Sequence, residues 1–164
     1  MRDILAGVVA LALLLVAGSL ATTLKLYRGR RRRLRESESE RGRTVIAEIP
    51  AGDDLVLFSE GSEHFHYGNL VIDKSHIAAV RVLINGAPIA AYVSRTEAAS
   101  TATPTSFEDR PDGIARDRWD VAIEAAAGTT LVECGAIRER VSQELARAVF
   151  DAVRTALERR DAHI

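Results

Sequence analysis

The sequence predicts a mainly β domain with a C-terminal α-helix (an α+β fold), preceded by one N-terminal transmembrane helix. Three observations predict this fold class. Residues 4–24 form an uncharged apolar run. In much of 44–134 apolar and polar residues alternate with a period of two, and 137–157 carries apolar residues at helical spacing. The chain therefore divides into an anchor (1–24), a basic juxtamembrane segment with a charged linker (25–43), and a soluble domain (44–164).

The apolar run begins after Asp3 and ends before Lys25. As a helix it spans about 30 Å, the thickness of the hydrocarbon core of a bilayer. A cleaved signal peptide is the alternative, because Ser19-Leu20-Ala21 fits a small-x-small cleavage pattern, but its apolar core is usually shorter. A buried helix of a soluble domain is disfavoured, since little chain remains to cover a helix that is apolar all round.

A basic cluster follows the apolar run and sets its orientation. Its members are Lys25, Arg28, Arg30, Arg31, Arg32, Arg33 and Arg35. Basic residues beside a membrane span are retained on the cytoplasmic side. We therefore expect a single-pass membrane protein with its N-terminus outside and its C-terminal domain in the cytoplasm. The same cluster attracts anionic lipid head groups.

Charge is divided unevenly along the chain. Residues 1–43 carry a net charge of +6 and residues 44–164 a net charge of −7. An acidic domain disfavours nucleic acid as a partner, because phosphate contacts need clustered lysine and arginine. The only cysteine, Cys134, excludes an intramolecular disulfide.

Alternating apolar residues between turn signals predict seven strands. They cover 45–49, 54–59, 64–72, 76–84, 87–93, 119–124 and 129–134. We interpret Gly68 as a bulge or bend inside the third strand. Trp119, Val121 and Ile123 should face one way along the sixth strand, and we interpret Trp119 as an anchor of the core.

The fourth and fifth strands flank Asn85-Gly86, the favoured pair for a tight type I′ hairpin. The implied pairs are Ile84–Ala87, Val82–Ile89 and Val80–Ala91. The apolar side chains of these pairs, with Val93, then lie on one side of the sheet. Arg81 and Tyr92 lie on the other side, and Pro88, which has no N–H to donate, should face outward.

Residues 94–118 lack periodicity and form a long loop, which is either functional or disordered. A helix follows Gly135 and closes the domain. Its apolar stripe consists of Ile137, Val141, Leu145, Val149, Val153 and Leu157.

This order of elements, with the hairpin and one amphipathic C-terminal helix, resembles the pleckstrin-homology-like superfold. Small bacterial proteins attached to membrane segments are among its members. The resemblance covers residues 44 to about 160 and implies a bent antiparallel sheet or barrel capped by the helix. It also implies binding or scaffolding in place of catalysis. A general α+β sandwich is the alternative fold.

Two histidines on one strand, His64 and His66, share a face as two metal ligands would. A third ligand would have to be Glu60 or Glu63, because a continuous strand places His76 more than about 20 Å away. The alternative is a solvated strand face with the neighbouring aromatic side chains inside. We predict no metal and no cofactor, and we interpret Cys134 as a buried strand cysteine in preference to an activated thiol near a helix start.

A ligand or partner surface is predicted around the hairpin edge and the long loop. It consists of Arg81, Tyr92, Arg95, Arg116 and Arg118. The expected function is a non-enzymatic, membrane-tethered binding or scaffold module that engages a protein partner at the inner membrane face. The alternatives are a domain that binds anionic lipid head groups and a metal-dependent enzyme that uses His64 and His66. The oligomeric state is left open.

Overall fold

A computed structural model describes residues 28–52, 54–95 and 117–162, together with Val16 and Ser19. The chain divides into two compact units, Met1–Arg41 and Gly42–Ile164. In the first unit, residues 28–40 form helix α1. The predicted anchor, apart from Val16 and Ser19, and most of the predicted loop lie outside the described residues.

The second unit contains, among the described residues, eight strands and one long helix. They are β1 (Thr44–Ala51), β2 (Asp54–Glu60), β3 (His64–Tyr67), β4 (Leu70–Asp73), β5 (Ile77–Ile84), β6 (Ala87–Val93), β7 (Arg118–Ala125), β8 (Gly128–Ala136) and α2 (Arg140–Asp161). The first sheet has the order β1-β2-β3-β4 and the second the order β6-β5-β7-β8, and every pairing is antiparallel. The predicted class, mainly β with a C-terminal helix, is confirmed.

The predicted continuous strand over 64–72 is wrong. Gly68 has a φ of 57°, in the left-handed region that favours glycine, and the chain reverses there. Tyr67 then pairs with Leu70 and His64 with Asp73, so one predicted strand becomes the β3–β4 hairpin. The residues on either side of Gly68 are equally suited to strands, so the sequence pattern does not separate a bend from a reversal.

The Asn85-Gly86 turn has the predicted conformation, with φ of 51° and 81°. The predicted register holds only next to the turn. The observed pairs are Ile84–Ala87, Leu83–Pro88, Val82–Ala90 and Val80–Tyr92. Ile89 is therefore an extra residue in β6 and forms a β-bulge. The side chains that follow it consequently lie on the opposite face of the sheet from the predicted one.

The bulge reverses the predicted faces of β6. Tyr92 and Ala90 pack against the core, whereas Ile89 and Val93 lie on the opposite face and are exposed. Pro88 pairs with Leu83 and is exposed. This agrees with the prediction that Pro88 faces outward, because proline has no N–H to donate to a neighbouring strand.

The core lies between the two sheets and α2. Trp119 belongs to it, as predicted, and so do Val121 and Ile123, which are predicted to share its face. The rings of Phe58 and Phe65 stack at a centroid distance of 5.5 Å, and both side chains are fully buried. This apolar burial supplies the main favourable free energy of folding.

Helix α2 buries the predicted stripe at Val149, Val153 and Leu157, and Ile137 and Leu145 pack against the core, but Val141 does not. The buried residues are Ser142, Ala146, Val149, Phe150, Val153 and Leu157. Val141 is 61% exposed, and Ile137 precedes the helix. Because 3.6 residues make a turn, each step of four drifts by about 40°, so four such steps carry Val141 about 160° away from Leu157.

Hydrogen bonds hold the last turn of α2 to the second sheet. Asp161 Oδ1 accepts from Ser94 Oγ at 2.6 Å, and Asp161 Oδ2 accepts from the Arg95 backbone N–H at 3.0 Å and Tyr92 OH at 3.2 Å. Arg160 Nη2 also donates to Ser94 Oγ at 2.6 Å. The end of β6 is thereby fixed to the end of the helix.

The start of β7 is held by a second side chain. Asn85 Oδ1 accepts from the backbone N–H groups of Asp117 and Arg118. The two chain positions that flank residues 96–116 are therefore both bonded to side chains of the domain.

Candidate partner-binding surface

Strand β6 forms one edge of the second sheet, with β5 as its only neighbour among the described strands. The strand carries no charged residue. Ile89 is 55% exposed and Val93 46% exposed. A sheet edge with exposed apolar side chains and no charge is a template for pairing with another chain.

The face of the second sheet beside this edge contains an ion pair. Arg81 Nε lies 2.7 Å from Glu124 Oε1 across β5 and β7. Ala79 and Ala122, the direct cross-strand neighbours of these two residues, are buried. The predicted surface residue Arg81 is therefore part of a neutral pair beside β6, not a lone cation.

Arg118 lies at the other end of the sheet. Its Nε is 2.7 Å from Asp120 Oδ1 and its Nη1 is 3.0 Å from Glu133 Oε2. The phenol of Tyr67 faces the same groups, and burial is the main cause that raises its pKa. This cluster joins β3 to β7 and β8 and has two carboxylates for one guanidinium.

The structure does not bring the described members of the predicted surface together. Tyr92 and Arg95 meet at Asp161, at the end of β6, whereas Arg118 begins β7 beside the Asn85 turn. Arg81 pairs directly with Ala122, four residues along β7 from Arg118, or about 13 Å. Arg116 lies outside the described residues.

Two of the histidines, His64 and His76, lie beside the carboxylate of Asp73. His64 Nε2 is 3.9 Å and His76 Nδ1 is 3.4 Å from Asp73 Oδ2. The prediction that His76 lies far from this strand is wrong, because the reversal at Gly68 runs β4 back along β3. His64 and His66 do share a face, with ring centroids 6.3 Å apart.

Hydrogen bonds from the Ser75 hydroxyl and backbone lower the pKa of Asp73, and His76 and His64 lower it further. In the described ranges, no group of three or more His, Cys, Asp or Glu side chains is arranged to hold a metal ion.

Six of the predicted membrane-flanking residues lie on α1. They are Arg28, Arg30, Arg31, Arg32, Arg33 and Arg35, while Lys25 lies outside the described residues. Arg32 Nε is 2.7 Å from Glu36 Oε1 in an exposed i,i+4 pair. No helix in the part of the chain that the structure describes has the length and apolar character needed to cross a membrane.

Cys134 is fully buried on β8, as predicted. Burial raises the pKa of its thiol to about 12, with a smaller contribution from Asp120. A thiol with so high a pKa is protonated at neutral pH, so this cysteine is a packing residue.

No protein-family model matches this chain, and no curated protein or solved structure matches it either. Function is therefore inferred from the chain's own residues. Among these, the exposed pair Ile89 and Val93 is the feature that sequence reasoning missed. The absence of charge in β6 and the presence of Pro88 were available as signals of an edge strand.

Proposed function

We propose that this chain is a single-pass, membrane-tethered binding module without catalytic activity, and that β6 binds a protein partner. The observation that carries the proposal is the uncharged edge of the second sheet, on which Ile89 and Val93 are exposed. A partner segment in extended conformation pairs with the backbone groups on the side of β6 that faces away from β5, and its own apolar side chains cover Ile89 and Val93.

The proposed architecture is a pleckstrin-homology-like domain. Two antiparallel sheets and a C-terminal helix that contacts β1 and also β5, β7 and β8 support this. The strand order of the second sheet differs from that of a bent sheet in which neighbouring strands follow one another along the chain. Here β5 lies between β6 and β7.

The proposed location follows from the apolar run 4–24 and the basic cluster after it. Together they favour a span with the N-terminus outside and the domain in the cytoplasm. A reporter that is active in only one compartment, fused to the C-terminus, tests this orientation. Activity of a periplasm-specific reporter there would refute it.

Site-specific photocrosslinking in intact membranes tests the partner. A photoreactive amino acid at Ala91, between the two exposed apolar residues, is expected to give a discrete protein adduct. The double substitution Ile89→Lys with Val93→Lys should abolish the adduct, because it adds charge to the contact. Val141→Lys is the matched control, since Val141 is also exposed but lies on α2.

Two results would contradict partner binding at β6. One is an adduct that survives the double lysine substitution, and the other is crosslinking to lipid alone. The second result would favour the second candidate function, a domain that itself binds anionic lipid head groups. Sedimentation with vesicles that contain anionic lipid, compared with neutral vesicles, then separates the two.

A further inference from the structure

A cleft of about 470 Å³ opens between the first sheet and the end of α2. The β2–β3 turn, the short 3-10 helix Lys74–His76 and the last turns of α2 form its walls. This volume lies within the range of sites that bind small molecules. The cleft shares no residue with the β6 edge.

Two basic side chains hold the walls in place. Lys74 Nζ donates to Glu60 Oε1 at 2.6 Å and to the Gly61 carbonyl at 2.8 Å, which joins the 3-10 helix to the β2–β3 turn. Arg160 Nη1 donates to the carbonyls of Lys74 at 2.9 Å and Ser75 at 2.7 Å, which joins the helix α2 to the same element. The cleft is therefore formed before a ligand arrives, which lowers the entropic cost of binding.

Two opposite charges in the cleft are not used by these bonds. Within the described residues, neither the Glu63 carboxylate nor the Arg159 guanidinium has a hydrogen-bond or ion-pair partner. Glu63 lies on the wall of the β2–β3 turn and Arg159 on the wall of α2. Ser62 adds a hydroxyl that can donate or accept.

The other charged groups of the lining are already engaged. Lys74 is paired with Glu60, Asp73 accepts hydrogen bonds from Ser75, and the guanidinium of Arg160 donates to backbone carbonyls. Glu63 and Arg159 are therefore the charged groups of the lining that have no partner among the described residues, and they stand on different walls of the cleft.

We propose that this cleft binds a small zwitterion, with its primary ammonium at Glu63 and its carboxylate or phosphate at Arg159. A guanidinium donates two parallel hydrogen bonds to either anion, and a carboxylate accepts from an ammonium. Amino acids, short peptides and the ethanolamine phosphate head group share this pair of charges. The proposal is independent of partner binding at β6, because the two sites use different residues.

Isothermal titration of the full-length protein in mild detergent tests this. The probes are the dipeptide Ala-Ala and glycerophosphoethanolamine, and at least one is expected to bind with one-to-one stoichiometry. Binding of the dipeptide identifies a peptide or amino acid source, and binding of glycerophosphoethanolamine alone identifies a head-group source. Blocking the ammonium by acetylation of the bound probe should weaken binding at least tenfold.

Variants locate the binding in the cleft. Glu63→Gln and Arg159→Gln should each weaken binding at least tenfold. Glu144→Gln and Arg147→Gln, which remove the same charges from exposed positions of α2, should leave it unchanged. The double variant Glu63→Lys with Arg159→Glu exchanges the two charges, so a zwitterion bound in the reverse direction should recover affinity that each single reversal loses.

The proposal would be overturned if neither probe binds, or if both glutamine substitutions leave the affinity for the bound probe unchanged. It would also be overturned if the charge-exchanged variant binds no better than the single reversals while all variants keep the native fluorescence of Trp119.

Discussion

Replacement of Asp161 by alanine should destabilise the domain by about 3 kcal/mol. The side chain is only 5% exposed and accepts from Ser94, the Arg95 backbone and Tyr92. A hydrogen bond to an ionised acceptor contributes about 1.5–3 kcal/mol net. We assign about 2 kcal/mol to the bond from the buried Ser94 hydroxyl. The Arg95 bond is exposed and the Tyr92 bond is longer, at 3.2 Å, so together they add about 1 kcal/mol, since water replaces part of each.

The effect should depend on pH in one direction. Burial of Asp161 opposes ionisation, but hydrogen bonds from Ser94, Arg95 and Tyr92 outweigh it, and the pKa of this carboxyl is lowered. A carboxyl whose folded-state pKa lies below its unfolded value of about 3.9 stabilises the fold fully above that value. This contribution is lost as pH falls through the folded-state pKa. The stability difference between wild type and Asp161→Ala should therefore shrink in strong acid.

Urea unfolding of the full-length protein measures both effects. The only tryptophan, Trp119, is buried in the core, so its fluorescence reports unfolding of the domain. Glu158→Ala is the control, because the ion pair that its carboxylate makes among the described residues is an exposed 3.5 Å contact with Arg154, and the substitution should change stability by less than about 0.5 kcal/mol. An unchanged urea midpoint for Asp161→Ala, or a difference that grows in acid, would refute the reasoning.

Three further predictions concern packing. Cys134 should resist a thiol reagent at neutral pH in the native protein and react fully in urea, as measured by labelled mass; rapid native labelling would contradict its burial. Gly135→Ala should cost about 2 kcal/mol or more in urea unfolding, because φ is +116° and the added Cβ would lie 2.5 Å from Ser142 Oγ. Val149→Ala should cost about 2 kcal/mol and Val141→Ala less than about 0.5 kcal/mol, and equal effects would disprove the observed stripe of α2.

Turns that have a strong local sequence signal are predicted well from the sequence, whereas the register of the strands is predicted poorly. Asn85-Gly86 defines its turn because few residue pairs adopt positive φ at both positions. The bulge at Ile89 leaves no such mark, since apolar residues on both sides of it suit either face. Gly68 is compatible with a bend or a reversal, and only pairing of β3 with β4 decides between them.

The candidate surfaces depend on long-range pairing, which explains what sequence reasoning missed. Arg81 and Glu124 are neutralised by each other only because β5 and β7 are neighbours. Glu63 and Arg159 face one cleft only because the end of α2 packs near the β2–β3 turn. Neither relation has a local pattern that a single sequence reveals.

The bonds at Arg95 and Asn85 have a practical consequence for protein engineering. Each holds the backbone at one boundary of residues 96–116 through a different side chain of the domain, Asp161 at Arg95 and Asn85 at Arg118. The two boundaries can therefore be released one at a time, the end of β6 by a substitution at Asp161 and the start of β7 by a substitution at Asn85.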